Sequence, residues 1–309
     1  MTSASRFAPL LILAAGACWG CTGAFARVLG DAGFTSLQIT EIRLFMAALI
    51  LVGIALATDR AALRVKPRDL WCLVGAGVAS ELFFNACYFT TISLTSLSVA
   101  AVLLYTAPVF VMALSRIVFK ERVTRRKIAA ALLTIVGCAL VSGLFTSVPA
   151  LSAAGVLIGI GSGLGYALYS VFSRLALERG YSPLAVVAWT FVFAALGGLF
   201  IVDPAATTHH IVERPESLLP LAGNAIVSTV LPYILYTTGL RHLENGRAVI
   251  FASLELVVAT ALGVVAFGET LSLDNLVGVS LVIAAIVLMN TAPASPSDPS
   301  RRAAAPAPR

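Results

Sequence analysis

The strongest constraint on this chain is a succession of apolar stretches, each close to the roughly 20 residues that a helix needs to cross a bilayer. Most of the short connections between them contain a charged residue or a helix breaker. The turn between the third and fourth stretches is uncharged and rich in serine and threonine. We predict transmembrane helices near 8–29, 36–57, 70–91, 98–118, 127–145, 151–173, 183–202, 217–239, 248–267 and 272–290. The predicted fold is therefore an all-α integral membrane protein with ten transmembrane helices.

The composition agrees with a membrane protein and disfavours several soluble classes. Hydrophobic residues make up 59% and charged residues 12% of the 309 residues, whereas a soluble domain is about 45–50% apolar and about 25% charged. So little charge disfavours a soluble enzyme, a disordered protein and a nucleic-acid-binding protein. The five cysteines lie in apolar stretches, and the sequence contains no metal-ligand spacing and no phosphate-binding loop. We expect no catalytic residues, no metal and no cofactor.

The lysines and arginines are sorted between the two sides of the membrane. With the ten spans threaded alternately, 18 of the 21 fall on the side of the N-terminus. Because positive residues concentrate in cytoplasmic loops, we predict a multi-pass protein of the cell inner (plasma) membrane with both termini in the cytoplasm. The net charge of +6 then reflects topology and anionic lipid headgroups rather than nucleic acid. Residues 291–309, rich in proline, alanine and serine, are predicted to form a disordered cytoplasmic tail.

The sequence also contains an internal repeat. Matches at an offset of 147 include Arg27 with Arg174 and Gly33 with Gly180, and those at 148 include Tyr88 with Tyr236 and Phe119-x-Glu121 with Phe267-x-Glu269. Residues 8–147 and 148–290 each hold five predicted spans, so the second half must enter the membrane from the opposite side. Inverted repeats of this kind are the architecture of alternating-access carriers.

At this point the chain resembles the EamA-type members of the drug/metabolite transporter superfamily. The resemblance covers residues 8–290 and is carried by three patterns. These are Glu41-Ile-Arg43-Leu-Phe45, the stretch 101–109 running to Phe119-Lys120-Glu121, and its echo 253–257 running to Phe267-Gly268-Glu269. The chain departs from the family at Leu256, where a proline is common. The resemblance implies export of small metabolites, with amino acids prominent among the substrates.

Ionisable residues inside the predicted spans are candidates for function, because they are costly to bury in a bilayer. Glu81 lies about halfway along the third span, and Glu255 lies within the ninth. A carboxyl group in an apolar cavity can exchange a proton against substrate or pair with a substrate ammonium group. The structural alternative is an ion pair or a hydrogen bond to a neighbouring helix.

Glu41 and Arg43 lie in the first two turns of the second span. Arg43 is a candidate to bind a substrate carboxylate, since a guanidinium group can bind it through two hydrogen bonds. Both residues are equally candidates for ion pairs that order the helix bundle. They are two positions apart, so they do not face each other on a helix.

Aromatic and polar residues at similar depth complete a predicted substrate-binding cavity. We assign to it Trp19, Glu81, Asn85, Tyr105, Tyr166, Tyr233 and Glu255. Such a lining suits a largely apolar solute that carries an amine or a carboxylate. The alternative for the tryptophan and tyrosines is the aromatic belt at the membrane interface. Pro108 and Pro232 lie within predicted spans and are hypothesised to act as hinges.

The sequence as a whole indicates a secondary transporter that exports small metabolites, amino acids first, by alternating access around a central cavity. A drug or lipid translocator of the same superfamily is the alternative, and a non-transporting membrane sensor or enzyme is an alternative of a different class. The predicted partners are a small-molecule substrate and the lipid bilayer, with no nucleic acid. Two fused halves make a monomer sufficient, while the oligomeric state stays open.

Overall fold

The computed structural model describes residues 3–144, 152–201 and 204–291, and within these ranges every regular element is a helix. Among the described residues, eight helices, several of them interrupted, are long and apolar enough to cross a membrane. They are Phe7–Asp31, Ser36–Thr58, Pro67–Leu94, Leu97–Val118, Ala153–Glu178, Pro215–Leu240, Asn245–Phe267 and Leu273–Asn290. The prediction of an all-α membrane protein is therefore supported. The proposed junction at 147/148 and the predicted tail beyond residue 291 lie outside the described residues.

The described helices fall into two series along the chain. The first series is α1 (Ser3–Gly20), α2 (Thr22–Asp31), α3 (Ser36–Thr58), α4 (Leu70–Val74), α5 (Phe83–Leu94), α6 (Leu97–Leu104), α7 (Ala107–Val118) and α8 (Arg125–Val141). The second is α9 (Ala153–Glu178), α10 (Pro183–Gly198), α11 (Pro204–Glu213), α12 (Leu218–Ala225), α13 (Leu231–Leu240), α14 (Asn245–Ala252), α15 (Leu254–Phe267) and α16 (Leu273–Asn290).

Ten membrane-crossing helices are not confirmed. The fifth and seventh predicted spans correspond to α8 and α10, which have 17 and 16 residues and are shorter than the roughly 20 that a bilayer core requires. The helix α8 begins with Arg125, Arg126 and Lys127, whose charges shorten its apolar part. The helix α10 starts at Pro183 and ends at Gly198, so helix breakers bound it on both sides.

The interruptions of the long helices recur at equivalent places in the two series. Segments of π-helix, Gly75–Leu82 and Ile226–Val230, interrupt the third and eighth predicted spans. The fourth span breaks at Tyr105 and Thr106, and the ninth breaks at Ser253, which lies 148 residues after Tyr105. At both breaks a hydroxyl group donates a hydrogen bond to a carbonyl of the preceding turn, which satisfies part of the interrupted backbone.

The tight turns at the helix ends follow the same repeat. Gly33 and Gly180, which are 147 residues apart, have φ angles of 90° and 91°. Lys120 and Gly268, which are 148 residues apart, have φ angles of 57° and 66°. Glycine adopts this left-handed region without strain, whereas Lys120 is the non-glycine exception. The matching φ angles show that these positions of the sequence repeat also have equivalent backbone structure.

Glycines bring the central helices close together. A Cβ atom on Gly16 of α1 would lie 3.2 Å from the carbonyl carbon of Ala252, and one on Gly163 of α9 would lie 3.0 Å from the carbonyl oxygen of Leu103. Gly16 and Gly163 are 147 residues apart. Because Gly16 has no side chain, the end of α14 packs closely against α1. Gly163 allows the end of α6 to pack closely against α9 in the same way. At the periphery, α8 and α16 pack tightly on each other at Gly137 and Gly278.

Candidate substrate cavity

A central cavity of about 680 Å³ lies between the two series of helices. Six of the residues assigned to the site from the sequence line it: Trp19, Arg43, Tyr105, Tyr166, Tyr233 and Glu255. Four of these six are aromatic, and the other two carry opposite charges. The wall also contains Phe84, Tyr88 and Phe89 of α5. The arrangement suits an amphiphilic solute that carries both an acidic and a basic group.

Glu255 occupies the first turn of α15, directly after the break at Ser253. The hydroxyl of Tyr105, at the equivalent break of the first series, donates a hydrogen bond to Glu255 Oε1. The bond therefore joins the two interrupted helices at the wall of the cavity. Pro108 lies in the first turn of α7, just after this break, where its missing N–H costs no helical hydrogen bond.

Glu81 lies in the π-helical segment and lines a small void that shares wall residues with the central cavity. Its Oε1 accepts a hydrogen bond of 2.6 Å from the hydroxyl of Tyr233. Its buried Oε2 has no partner within the part of the chain that the structure describes. That oxygen is therefore available to a proton or to a donor group of a substrate. Pro232, adjacent to Tyr233, lies in the first turn of α13 directly after a π-helical segment.

Asn85 joins Arg43 of the cavity wall to the backbone of Glu81 and does not itself line the cavity. Its side-chain amide donates to the backbone oxygen of Glu81 at 2.7 Å, and its Oδ1 accepts from Arg43 Nη2 at 3.4 Å. Arg43 thus points inwards, whereas Glu41 is buried against Gly198 of α10. The structure does not pair Glu41 with Arg43, in agreement with their spacing, and Glu41 is not part of the cavity wall.

Aromatic rings form the floor of the cavity. Trp19 contacts Tyr233 with a centroid distance of 5.2 Å and Tyr166 with one of 6.4 Å, both edge to face. Tyr169 and Phe191 also pack edge to face on Tyr233, with centroid distances of 4.9 and 4.8 Å. Such packing fixes the ring positions and leaves their edges and faces for an apolar or cationic solute.

Next to these rings, two hydrogen bonds join α9 to α13 and close one end of the cavity. Tyr169 bonds to Thr237 at 2.7 Å, and Ser170 bonds to Tyr236 at 2.8 Å, all within the interior. We call these four residues the closed layer. Their repeat equivalents, at offsets of 147 and 148, are Thr22, Phe89, Gly23 and Tyr88. All four equivalents line the open cavity. Matching parts of the two series are therefore in contact at one end and separated at the other.

A buried network of charges lies beyond the closed layer. Glu121 contacts Arg174 and, at 3.5 Å, Lys127, and Lys127 pairs with Glu244 at 2.9 Å. Glu121 also accepts hydrogen bonds from the backbone amides of Asn245 at 2.9 Å and Gly246 at 3.4 Å, the first two residues of α14. We call Glu121, Lys127, Arg174 and Glu244 the closed-end cluster. Two acidic and two basic groups neutralise each other there, which offsets their burial.

The opposite end carries a smaller version of the same arrangement. Arg27 pairs with Glu269 at 2.9 Å, and its guanidinium lies 4.4 Å from the ring centre of Phe267. Arg174 lies 4.5 Å from the ring centre of Phe119 in the matching geometry. The side chains of Arg27 and Glu269 are 49% and 58% exposed, whereas those of Arg174 and Glu121 are each 2% exposed. We call Arg27, Phe267 and Glu269 the open-end cluster.

From the sequence, Arg174 and Lys127 counted only among the sorted positive charges, and Glu121 and Glu269 only as matching positions of the repeat and the family patterns. The closed-end cluster was therefore missed. A signal was present, because the repeat matches Arg27 with Arg174 and Glu121 with Glu269. Two charges of opposite sign that recur together in both halves indicate an ion pair. The sequence did not indicate that one copy is buried and the other exposed.

Comparisons with known proteins agree with this architecture. The model of the EamA-like transporter family matches the chain twice, over residues 6–143 and 153–291. An uncharacterized transporter of Archaeoglobus fulgidus is 30% identical over 285 residues, covering 92% of this chain and 96% of the relative. A probable amino-acid metabolite efflux pump of Salmonella typhimurium is 24% identical over 61% of this chain and 66% of its own length. One crystal structure shares the fold, with a TM-score of 0.73 at 18% identity, and covers 92% of this chain and 96% of its own chain.

Proposed function

The chain belongs to the EamA-like transporter family of the drug/metabolite transporter superfamily, and on that premise we propose that it exports small metabolites, amino acids first, by alternating access. One observation carries the mechanism. The residues of the closed layer are in contact, while their repeat equivalents line an open cavity. Exchange of these two arrangements between the halves would expose the cavity to the opposite side.

The lining of the cavity supports an amino acid as the substrate class. Arg43 offers a guanidinium group to a carboxylate, and Glu255 offers a carboxyl group to an ammonium. The aromatic wall around Trp19 and Tyr166 suits an aromatic or aliphatic side chain. Glu81 lies behind Tyr233 of the cavity wall, which donates a hydrogen bond to it, and we propose that Glu81 carries the coupled proton. The relative from Salmonella named as an amino-acid metabolite efflux pump supports the same class.

The sorting of positive charge indicates the side of the membrane to which the cavity opens. The closed-end cluster lies on the side that holds 18 of the 21 lysines and arginines, which we propose to be cytoplasmic. The cavity then faces outwards in this structure, in the state that releases an exported solute. A relative from Salmonella typhimurium, 26% identical, is named an inner membrane transporter, which supports the plasma membrane as its location. We propose a solute gradient or a proton gradient as the driving force.

Uptake into proteoliposomes tests the proposal. Purified protein is reconstituted, and a panel of labelled amino acids is offered with and without a pH gradient. We expect saturable uptake of aromatic or aliphatic amino acids, and loss of this uptake in Arg43→Gln and Glu255→Gln. Arg214→Gln, whose side chain lies at the open end outside the cavity wall, is the matched control and should transport normally. Folded protein that takes up none of the panel would contradict amino acids as the substrate class.

A drug or lipid translocator is the second candidate, and one observation favours it. A side cleft of about 440 Å³, lined by residues of α6, α8, α15 and α16, shares Leu97, Ala101 and Leu256 with the central cavity. A passage of mixed polar and apolar lining towards the peripheral helices α8 and α16 suits amphiphilic solutes that enter from the bilayer. Movement of a fluorescent phospholipid between leaflets, without amino-acid uptake, would favour this candidate over the first.

A further inference from the structure

The side cleft separates two elements whose repeat equivalents are in contact at the closed end. At the closed end, Glu121 binds the first two amides of α14, those of Asn245 and Gly246. The equivalent of Glu121 is Glu269, and the equivalent of α14 is α6, because both helices have eight residues and start 148 positions apart. Glu269 and the first two residues of α6, Leu97 and Ser98, face each other across the cleft.

The open-end acid is held by the same local structure as its buried equivalent. The amide of Glu121 donates to the carbonyl of Ser115, and the amide of Glu269 donates to the carbonyl of Gly263, both at 3.1 Å. Each acid follows a residue with a positive φ angle, and each is paired with an arginine that stacks on a phenylalanine. Glu269 and Arg27 therefore already have the arrangement that Glu121 and Arg174 have at the closed end. What differs is that α6 lies across the cleft from Glu269, whereas α14 binds Glu121.

The beginning of α6 is suited to receive a carboxylate. The first amides of a helix have no acceptor within the helix. Ser96 accepts a hydrogen bond from the amide of Val99 at 3.2 Å, so its hydroxyl serves the third residue rather than Leu97 or Ser98. An acid at this end would also interact favourably with the helix dipole.

We propose that the open-end cluster is a gate, and that Glu269, held by Arg27, binds the backbone amides of Leu97 and Ser98 when the open end closes. The side cleft and the outer part of the central cavity disappear in that state, while Glu121 leaves α14 at the other end. The inference rests on the proposed alternation between two states and does not depend on the identity of the substrate.

A cysteine pair across the cleft tests the gate. Ser98→Cys and Thr270→Cys place one thiol on each wall, leave the amide of residue 98 in place and keep Glu269. The five native cysteines are first replaced, because Cys138 lies in the same cleft. A short bifunctional thiol reagent should link the pair in membranes and trap the closed open end. Either single-cysteine variant is the control for the linkage.

If the gate exists, the rate at which the cysteine pair is linked should depend on the ion pair between Arg27 and Glu269. Random motion of the two walls would give linkage that does not depend on this ion pair. We expect Glu269→Gln or Arg27→Gln to slow linkage of the pair about tenfold. Thr260→Val, which alters an uncharged residue of the same cleft whose hydroxyl bonds only within its own helix, should leave the rate within about twofold. Absence of linkage, or linkage at the same rate without Glu269, would overturn the gate. The measurement needs no substrate, so amino-acid uptake can fail while the gate stands, and the gate can fail while uptake succeeds.

Discussion

The two ends of this molecule are built from matching parts but differ in burial and in charge. The closed-end cluster has four charged groups, and the open-end cluster has only the pair Arg27–Glu269. At an offset of 148, Lys127 corresponds to Asn275 and Glu244 corresponds to Ser96. The second ion pair of the closed end therefore has no charged equivalent at the open end. Under the proposed alternating access, this asymmetric set of charges would give the two states different stabilities. The structure described here would then be the state that closes the cluster with more charges.

The largest expected effect comes from breaking the buried pair. In Arg174→Gln, Glu121 keeps its charge but loses its closest partner in a site from which water is excluded. We expect the free energy of unfolding to fall by about 3–5 kcal/mol, because an uncompensated buried charge is costly. An SDS unfolding titration of the protein in mixed micelles measures the change.

Arg27→Gln is the matched control, because Arg27 occupies the equivalent position with a half-exposed side chain. Exposed ion pairs contribute at most about 1 kcal/mol, so this variant should unfold close to the wild-type midpoint. Equal losses in the two variants would mean that the exposure of the two arginines does not set their contributions. The expectation that the buried ion pair stabilises the protein more than the exposed pair would then be wrong.

A smaller effect is expected from making the two ends equal in composition. The double variant Lys127→Asn, Glu244→Ser gives the closed end the residues that the open end carries at the matching positions. Because both charges leave together, Glu121 and Arg174 remain a balanced pair. We expect the population that opens the closed end to rise about tenfold, equivalent to about 1.4 kcal/mol.

Labelling of Ser170→Cys, a closed-layer position, measures this shift. The maleimide is added from the side of the closed end, in inside-out vesicles of the variant without native cysteines. His209→Cys, on an exposed position of α11 at the opposite end, reports leakage of the reagent across the membrane. An unchanged labelling rate in the double variant would show that the second ion pair does not bias the two states.

The sequence anticipated the membrane-spanning character of the chain better than the details of its helices. Hydropathy found the eight long helices, because transfer into a bilayer depends mainly on the apolar length of a segment. It did not predict the break at Ser253 or the two π-helical segments, since these depend on hydrogen bonds and packing rather than on apolarity. Of the two predicted hinges, Pro108 does lie next to a helix break, and Pro232 follows a π-helical segment.

The same limit applies to the candidate site. Depth along a span and the repeat offset together singled out Trp19, Tyr166 and Tyr233, which the structure brings into contact. Glu41 has a similar position in the sequence to Arg43, but it faces the neighbouring helix α10. The direction of a side chain around a helix of uncertain rotation is not readable from one sequence. The burial of Glu121 was equally unreadable, because it depends on the packing of α14 against the acid, which hydropathy does not report.

The smallest effect on stability, but a specific effect on coupling, is expected at the middle of the molecule. Here each half receives a tyrosine hydroxyl from the other: Tyr233 donates to Glu81, and Tyr105 donates to Glu255. Glu81→Gln keeps an oxygen for Tyr233 but cannot exchange a proton. We expect substrate exchange without a gradient to stay within about twofold, since a neutral hydrogen bond replaces another. Stimulation of transport by a pH gradient should disappear.

Glu255→Gln is the matched comparison for Glu81→Gln, because the two variants should affect different aspects of transport. Glu255 lines the open cavity, whereas Glu81 lines the small void next to it. If Glu255 binds the ammonium group of the substrate, its variant should lose uptake with and without a gradient, while the Glu81 variant loses only the response to the gradient. The reverse pattern would exchange the two roles. A pH response that survives in both variants would place the coupled proton elsewhere, and the two cross-half hydrogen bonds would then serve only to hold the halves together.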